Sequence, residues 1–234
     1  MTGKTYIHDE LFKMSEKWEP TFDGLTITID NFYENPEAIH DFIMNRQFPM
    51  WKYSTERKSL NGIEYNDCRI TDKVGHPTRK YFGEMERLLD ICRKHFHKGR
   101  YDWDIIHEFN VFQTITEFDN KMQHYPHTDS SFDTPNKLAT LNMLVYLDKQ
   151  ESGGTAVYNG EWISNDEHHG LLYPCQDDFE LHTIIPSKFN RCVIFPGNRL
   201  HGAHIEDYTK YSGDNWRVSQ VQFFHPTTGN NHAK

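Results

Sequence analysis

Residues 138–158 read LATLNMLVYLDKQESGGTAVY, and this stretch decides the fold. In extended chain, alternate side chains share a face. One face of the run is Ala139, Leu141, Met143, Val145 and Leu147, which is wholly apolar and suited to packing. The other is Leu138, Thr140, Asn142, Leu144 and Tyr146, mixed in character, which suits the lining of a ligand-holding interior. A strand with one face for a core and one for a cavity belongs to a closed or double-layered β structure. Gly153 and Gly154 then mark a tight re-entry or a close approach of backbone, and a second strand is predicted over Thr155 to Tyr158.

Working outward, further β-rich runs are predicted at Ile105 to Phe118, Leu181 to Ile185, Arg191 to Phe195 and Arg217 to Phe224. Turn pairs such as Asp119-Asn120, Asn159-Gly160 and Pro196-Gly197 separate them. Strands in series without intervening helices imply an antiparallel double sheet, a jelly roll. Upstream, Leu25 to Asp30 alternates as a strand, and Asn35-Pro36 opens a helix predicted to run to about Arg46. Trp51 to His76 is polar and reads as a long connection. Pro77 to His97 carries Tyr81, Phe82, Met85, Leu88, Leu89, Cys92 and Phe96 at helical spacing, a scaffold helix for one face of a sheet. With no repeat or linker, residues 1–234 are expected to form one domain, with helical support over about 35–97 and a barrel core over about 105–225.

Composition narrows the function. Asp and Glu number 34 against 25 Lys and Arg, for a formal charge of -9. Phosphate neutralisation gains nothing from such a chain, so nucleic acid is not an expected partner. The first residues hold no apolar run of the signal-peptide kind, and no stretch has membrane-spanning length, so a cytoplasmic protein without membrane partners is expected. Cys68, Cys92, Cys175 and Cys192 form no Cys-x-x-Cys pair, which argues against structural zinc and for buried free thiols.

The 15 histidines raise the question of which converge. His127 and Asp129 stand two apart, so in extended chain both can approach one metal from the same side. By itself His-x-Asp is a weak signal. A third ligand must come from a neighbouring strand. His201, just after the Arg191 to Phe195 run and the Pro196-Gly197 turn, is the best candidate, with His204 a weaker one. Two histidines and one carboxylate leave open coordination positions, as in non-haem iron(II) oxygenases. Arg217 opens the WRVSQVQFF strand and shares a face with Ser219 and Val221. An inward Arg is costly unless it meets an anion, and its fork matches a carboxylate in two hydrogen bonds. Ser219, Asn142 and Tyr146 are candidates to assist that anion.

Together these pieces resemble the iron(II)/2-oxoglutarate-dependent dioxygenase superfamily, on its prolyl-4-hydroxylase-like side. The matching motifs are HYPHTDS, LNMLVYLDKQESGGTAVY, FPGNRLHG and WRVSQVQFF in that order, with IDNFYENPEAIHDFIMNRQF resembling the opening of such proteins. The resemblance implies a double-stranded β-helix core, mainly β with flanking α-helices. It implies Fe(II) on His127, Asp129 and His201, and Arg217 on the far carboxylate of 2-oxoglutarate, with Tyr146 assisting. O2 would be consumed, succinate and CO2 released, and an amino acid, a prolyl or peptidyl group, or a small metabolite hydroxylated. Asp129 is the carboxylate that halogenating relatives lack, so its presence favours hydroxylation or a related oxidation. The gap between His201 and Arg217 is longer than in many relatives.

The polar segments Trp51 to Gly75 and Asn159 to Phe179 are expected to recognise substrate at the barrel mouth. Two other classes compete. A cupin-like zinc metallohydrolase would use the same three ligands without needing Arg217 or Tyr146 inside. A non-catalytic jelly-roll binding module would need no metal.

Overall fold

The computed structural model describes residues 11–45, 51–53, 59–60, 63–71, 88, 90–92, 94–96, 102–114, 128, 141–159, 180–211 and 215–227. For 51–53, 59–60, 63–71, 102–114, 208 and 225–227 it describes the backbone alone. His127 and Asp129 lie outside the described residues, as do 77–87 and 160–179.

Twelve strands in the described residues form two antiparallel sheets. They are β1 (Pro20–Phe22), β2 (Ile27–Ile29), β3 (Trp51–Tyr53), β4 (Ser59–Leu60), β5 (Ile63–Thr71), β6 (Asp102–Thr114), β7 (Leu141–Tyr146), β8 (Gly154–Tyr158), β9 (Leu181–Pro186), β10 (Arg191–Pro196), β11 (His201–His204) and β12 (Arg217–Thr227). The major sheet runs β1-β2-β10-β7-β12-β6-β5-β3, with β4 beside β5, and the minor sheet runs β11-β8-β9. From β7 onward the chain passes major, minor, minor, major, minor, major. That alternation winds the strands into the expected jelly roll.

The apolar face of β7 behaves as its sequence dictates. Leu141, Met143 and Val145 are fully buried in the main core with Cys192, Ile194, Val218 and Phe224 of the flanking strands. Helix α1 (Pro36–Met44) covers this core with Ile39 and Ile43, which are one turn apart. The Asn35 side chain caps α1 by accepting from the Ala38 N–H at 3.3 Å, and Pro36 fills the first turn where no donor is needed. Leu88 and Cys92 from the second helix join the same core, consistent with its scaffold role. Each fully buried aliphatic side chain here contributes about 1.5–3 kcal/mol. Asn190, at φ 64, binds the Tyr33 backbone with both ends of its amide at 2.8 Å and so ties the N-terminal segment to β10.

One expectation is overturned. Trp51 to His76 is not a long connection: β3, β4 and β5 extend the major sheet beyond β6. In β5, Ile63, Tyr65, Asp67 and Arg69 alternate with Glu64, Asn66, Cys68 and Ile70, so neither face is uniformly apolar. Backbone pairing with β6, including an irregularity between Tyr65 and Asp67, defines this strand in place of a hydrophobic stripe. Among the described residues, no helix is long and apolar enough to cross a membrane.

Candidate functional site

The register fixes which side chains face inward. Ser219 pairs with Tyr146 and Val221 with Leu144, while Phe195 of β10 pairs with Asn142 and Val193 with Leu144. Tyr146, Val193 and Phe195 of the major sheet pack with Val157 and Ile185 of the minor sheet, so this is the face between the sheets. Strand alternation then puts Asn142, Tyr146, Arg217 and Ser219 all on it. In the minor sheet, His201 pairs with Val157 and Ala203 with Thr155, which places His201 on the facing interior surface. The structure thus brings five of the seven candidate residues onto two opposed faces. The other two, His127 and Asp129, lie outside the described residues, where Thr128 alone of that motif is described, half-buried.

His201 is 5% exposed, with its ring edge against Phe195 at 4.6 Å between centroids. Its Nδ1 lies 2.8 Å from the Arg199 carbonyl. A carbonyl only accepts, so Nδ1 carries a hydrogen, and Nε2 is the ring nitrogen that a metal would take. Fixing one ring nitrogen on a backbone carbonyl is how metal-binding histidines are commonly oriented. His204, the weaker candidate, is three residues on and alternation turns it to the opposite face of β11. Burial, then the Arg217 charge, holds its pKa below the usual histidine range. Among the described residues, no group of three or more His, Cys, Asp or Glu is placed to hold a metal.

Arg217 is 5% exposed and donates Nη2–H to the Gly154 carbonyl at 3.2 Å. A guanidinium buried this far is expensive without anionic company. Tyr146 lies on the adjacent strand with its hydroxyl bonded to Thr155 Oγ1, linking the two sheets. Burial raises the Tyr146 pKa, against smaller opposing effects of Thr155 and Arg217, so the phenol stays protonated at neutral pH. The hydroxyl expected to reach an anion on Arg217 is here engaged with Thr155. Ser219 and Asn142 are both buried on the same face. A buried fork beside neutral hydroxyls, opposite a histidine presenting Nε2, fits a small oxoacid carboxylate and a divalent metal.

Gly153 and Gly154 make the close approach that their sequence predicts. Gly153 has φ +90, and a Cβ there would lie 1.9 Å from the His204 carbonyl oxygen. At Gly154 it would lie 1.9 Å from the Ile185 carbonyl oxygen. The missing side chain of Gly153 lets β11 approach the start of β8, and that of Gly154 lets β9 approach it from the other side.

Sequence reasoning missed Thr155, Asp148 and Tyr211. Asp148 is buried at the end of β7, where Oδ1 accepts from the Gln150 N–H at 2.8 Å and Oδ2 from the Tyr211 hydroxyl. The same hydroxyl lies 2.8 Å from the Ser152 carbonyl. Burial raises the Asp148 pKa, opposed by Tyr211, Gln150 and Arg217. The available signal was an Asp directly after an apolar strand. Its partner Tyr211 stands 63 residues away and was not foreseeable.

No family model matches the sequence, and no curated protein matches it. Solved structures do. The non-heme alpha ketoglutarate dependent epimerase SnoN from nogalamycin biosynthesis superposes with a TM-score of 0.52 at 15% identity, over 87% of this chain and 78% of that one. HygX from Streptomyces hygroscopicus, solved with nickel, 2-oxoglutarate and hygromycin B, gives 0.54 at 12% identity, over 88% and 85%. The carbocyclase SnoK, also non-heme and alpha ketoglutarate dependent, gives 0.51 at 11%, over 85% and 78%. At these identities the likeness establishes the fold, a jelly-roll core shared with these enzymes.

Proposed function

We propose that this chain, which has the fold of non-heme iron enzymes that use 2-oxoglutarate, is itself an iron(II)/2-oxoglutarate-dependent oxygenase. The observation that supports it most is the placement of His201 and Arg217 on facing interior surfaces, His201 held by the Arg199 carbonyl and Arg217 buried and donating to the Gly154 carbonyl. His127, Asp129 and His201 would hold iron(II), and Arg217 the far carboxylate of 2-oxoglutarate, with Ser219, Asn142 and Tyr146 beside it. Iron(II) and 2-oxoglutarate together supply O2 activation, in which the oxoacid becomes succinate and CO2 while the substrate gains oxygen or loses hydrogen.

The protein's own contributions are positional. The Arg217 fork would hold the far carboxylate of the oxoacid through two hydrogen bonds, from the interior face opposite β11. Leu144, Val193 and Phe195 exclude water from the space between, which strengthens every polar contact inside it. The protonated Tyr146 hydroxyl adds no charge that would repel an anion.

We read the reaction as hydroxylation of an amino acid, a prolyl or peptidyl group, or a small metabolite. The small-metabolite reading is favoured because HygX was solved with hygromycin B and SnoN belongs to nogalamycin biosynthesis. Epimerisation and cyclisation by SnoN and SnoK show how widely the fold's oxidative outcomes range. A cytoplasmic setting, where the buried thiols of Cys92 and Cys192 stay reduced, goes with this reading. A zinc hydrolase would have no task for a buried interior Arg217.

The test is succinate formation from 2-oxoglutarate by the iron-loaded protein in air, then acceleration by candidate substrates. Turnover that requires iron, and is lost in His201→Ala and Arg217→Met, is the expected result. Metal-dependent hydrolysis that survives Arg217→Met would establish the zinc enzyme instead.

A further inference from the structure

Asp148 has a second relationship that the register reveals. Gln220 pairs with Val145 and Ser219 with Tyr146, each step along β7 moving back one residue on β12. The Leu147 N–H continues the ladder by donating to the Val218 carbonyl at 3.0 Å. Continued two residues past Tyr146, the same register would set Asp148 opposite Arg217 on the interior face, and the Arg217 charge acts on Asp148. Asp148 is 1% exposed and Arg217 5%. Asp148 Oδ1 accepts from the Gln150 N–H, and Oδ2 meets the Tyr211 hydroxyl. The Tyr211 hydroxyl bridges Asp148 to the Ser152 carbonyl, and two residues further on the Gly154 carbonyl accepts from Arg217. One short loop therefore carries both a buried carboxyl group and the backbone carbonyl that accepts from Arg217.

We propose that Asp148, held in place by Tyr211, is the resident counter-carboxylate of Arg217: it balances the buried guanidinium when no co-substrate is present and competes with the far carboxylate of the co-substrate when one binds. This rests on the reading of Arg217 as the oxoacid anchor. Asp148 is then an affinity-setting positioning residue that trades co-substrate affinity for stability of the empty site. The charge of Arg217 reaches both Asp148 and Tyr211, favouring the ionised form of each against burial.

Asp148→Asn keeps acceptor and shape and removes the charge. Calorimetric titration of 2-oxoglutarate into the iron-loaded protein without oxygen should show binding about two- to fivefold tighter than wild type, as loss of a cross-strand charge pair allows. The same variant should melt lower without 2-oxoglutarate and gain a larger melting shift from it. Asp148→Ser, also neutral, should change affinity in the same direction. Tyr211→Phe should lower the melting temperature without tightening binding, since the charge remains. A purely structural Asp148 would lower the melting temperature and leave affinity unchanged or weaker, which overturns the proposal. Arg217→Met separates the two levels. If it binds 2-oxoglutarate as wild type does, the anchor reading itself fails. If it binds weakly while Asp148→Asn shows no tightening, the counter-carboxylate alone fails.

Discussion

Gly153→Ala tests the packing that brings β8 and β11 together. The new Cβ would stand 1.9 Å from the His204 carbonyl oxygen, 2.7 Å from its carbon and 2.8 Å from the Ile205 Cα, all backbone atoms that no side-chain rotation can move. Restoring an ordinary 3.4 Å contact requires a shift of about 1.5 Å in β11. Holding Ala at φ +90 adds about 1–2 kcal/mol, and overpacking adds about 1–3 kcal/mol. Taking about 3 kcal/mol for the total, a chain of this size should melt about 6–12 °C lower. Gly24→Ala is the control, because Gly24 has φ +95 but nothing within 4 Å of its Cβ, so only the conformational cost applies. Thermal denaturation by circular dichroism of both variants isolates the steric part. Because β11 begins with His201, the Gly153 variant should also lose metal affinity while the Gly24 variant keeps it. Equal melting temperatures for the two variants would refute the close approach.

Three further predictions follow from other contacts. Tyr146→Phe and Thr155→Val should each destabilise the protein, and their double-mutant cycle should show about 1 kcal/mol of coupling by chemical denaturation, with strict additivity refuting the hydroxyl link between sheets. The Arg191 guanidinium, 2.6 Å away, with help from Lys188, holds the Asp30 pKa down to about 2, below its unfolded value of about 3.9. The folded state therefore gains stability above about pH 4 and loses it as pH falls toward 2. Asp30→Asn should melt lower at neutral pH and show a shallower decline across that window, and an unchanged acid profile would count against the pair. His201→Ala should retain the fold by circular dichroism yet lose bound iron(II) by metal analysis. Stoichiometric iron in that variant would remove His201 from the ligand set.

Much of this was legible from side-chain pattern alone. The two faces of β7 and the face shared by Arg217 and Ser219 follow from strict alternation, and the structure keeps both. Asn35 and Pro36 announced the start of α1, and the paired glycines announced the approach of β8 to its neighbours. What failed to show was structure created by pairing. β5 has no apolar stripe, and β11 is four residues, His-Gly-Ala-His, whose extended form depends on β8 alongside. Asp148 and Tyr211 were hidden for the same reason: a buried carboxylate looks like a turn residue until a hydroxyl 63 positions later closes on it. The prolyl-4-hydroxylase-like subtype also rested on loose motifs, and the structural neighbours reported above are an epimerase, a carbocyclase and HygX.

The central claim is that one interior holds iron(II) and 2-oxoglutarate together. The most direct measurement is the visible spectrum of the protein with both, without oxygen. A weak charge-transfer band that needs both components and disappears in Asp129→Ala and Arg217→Met is the predicted result. Iron bound in full stoichiometry with no such band on adding 2-oxoglutarate would contradict it.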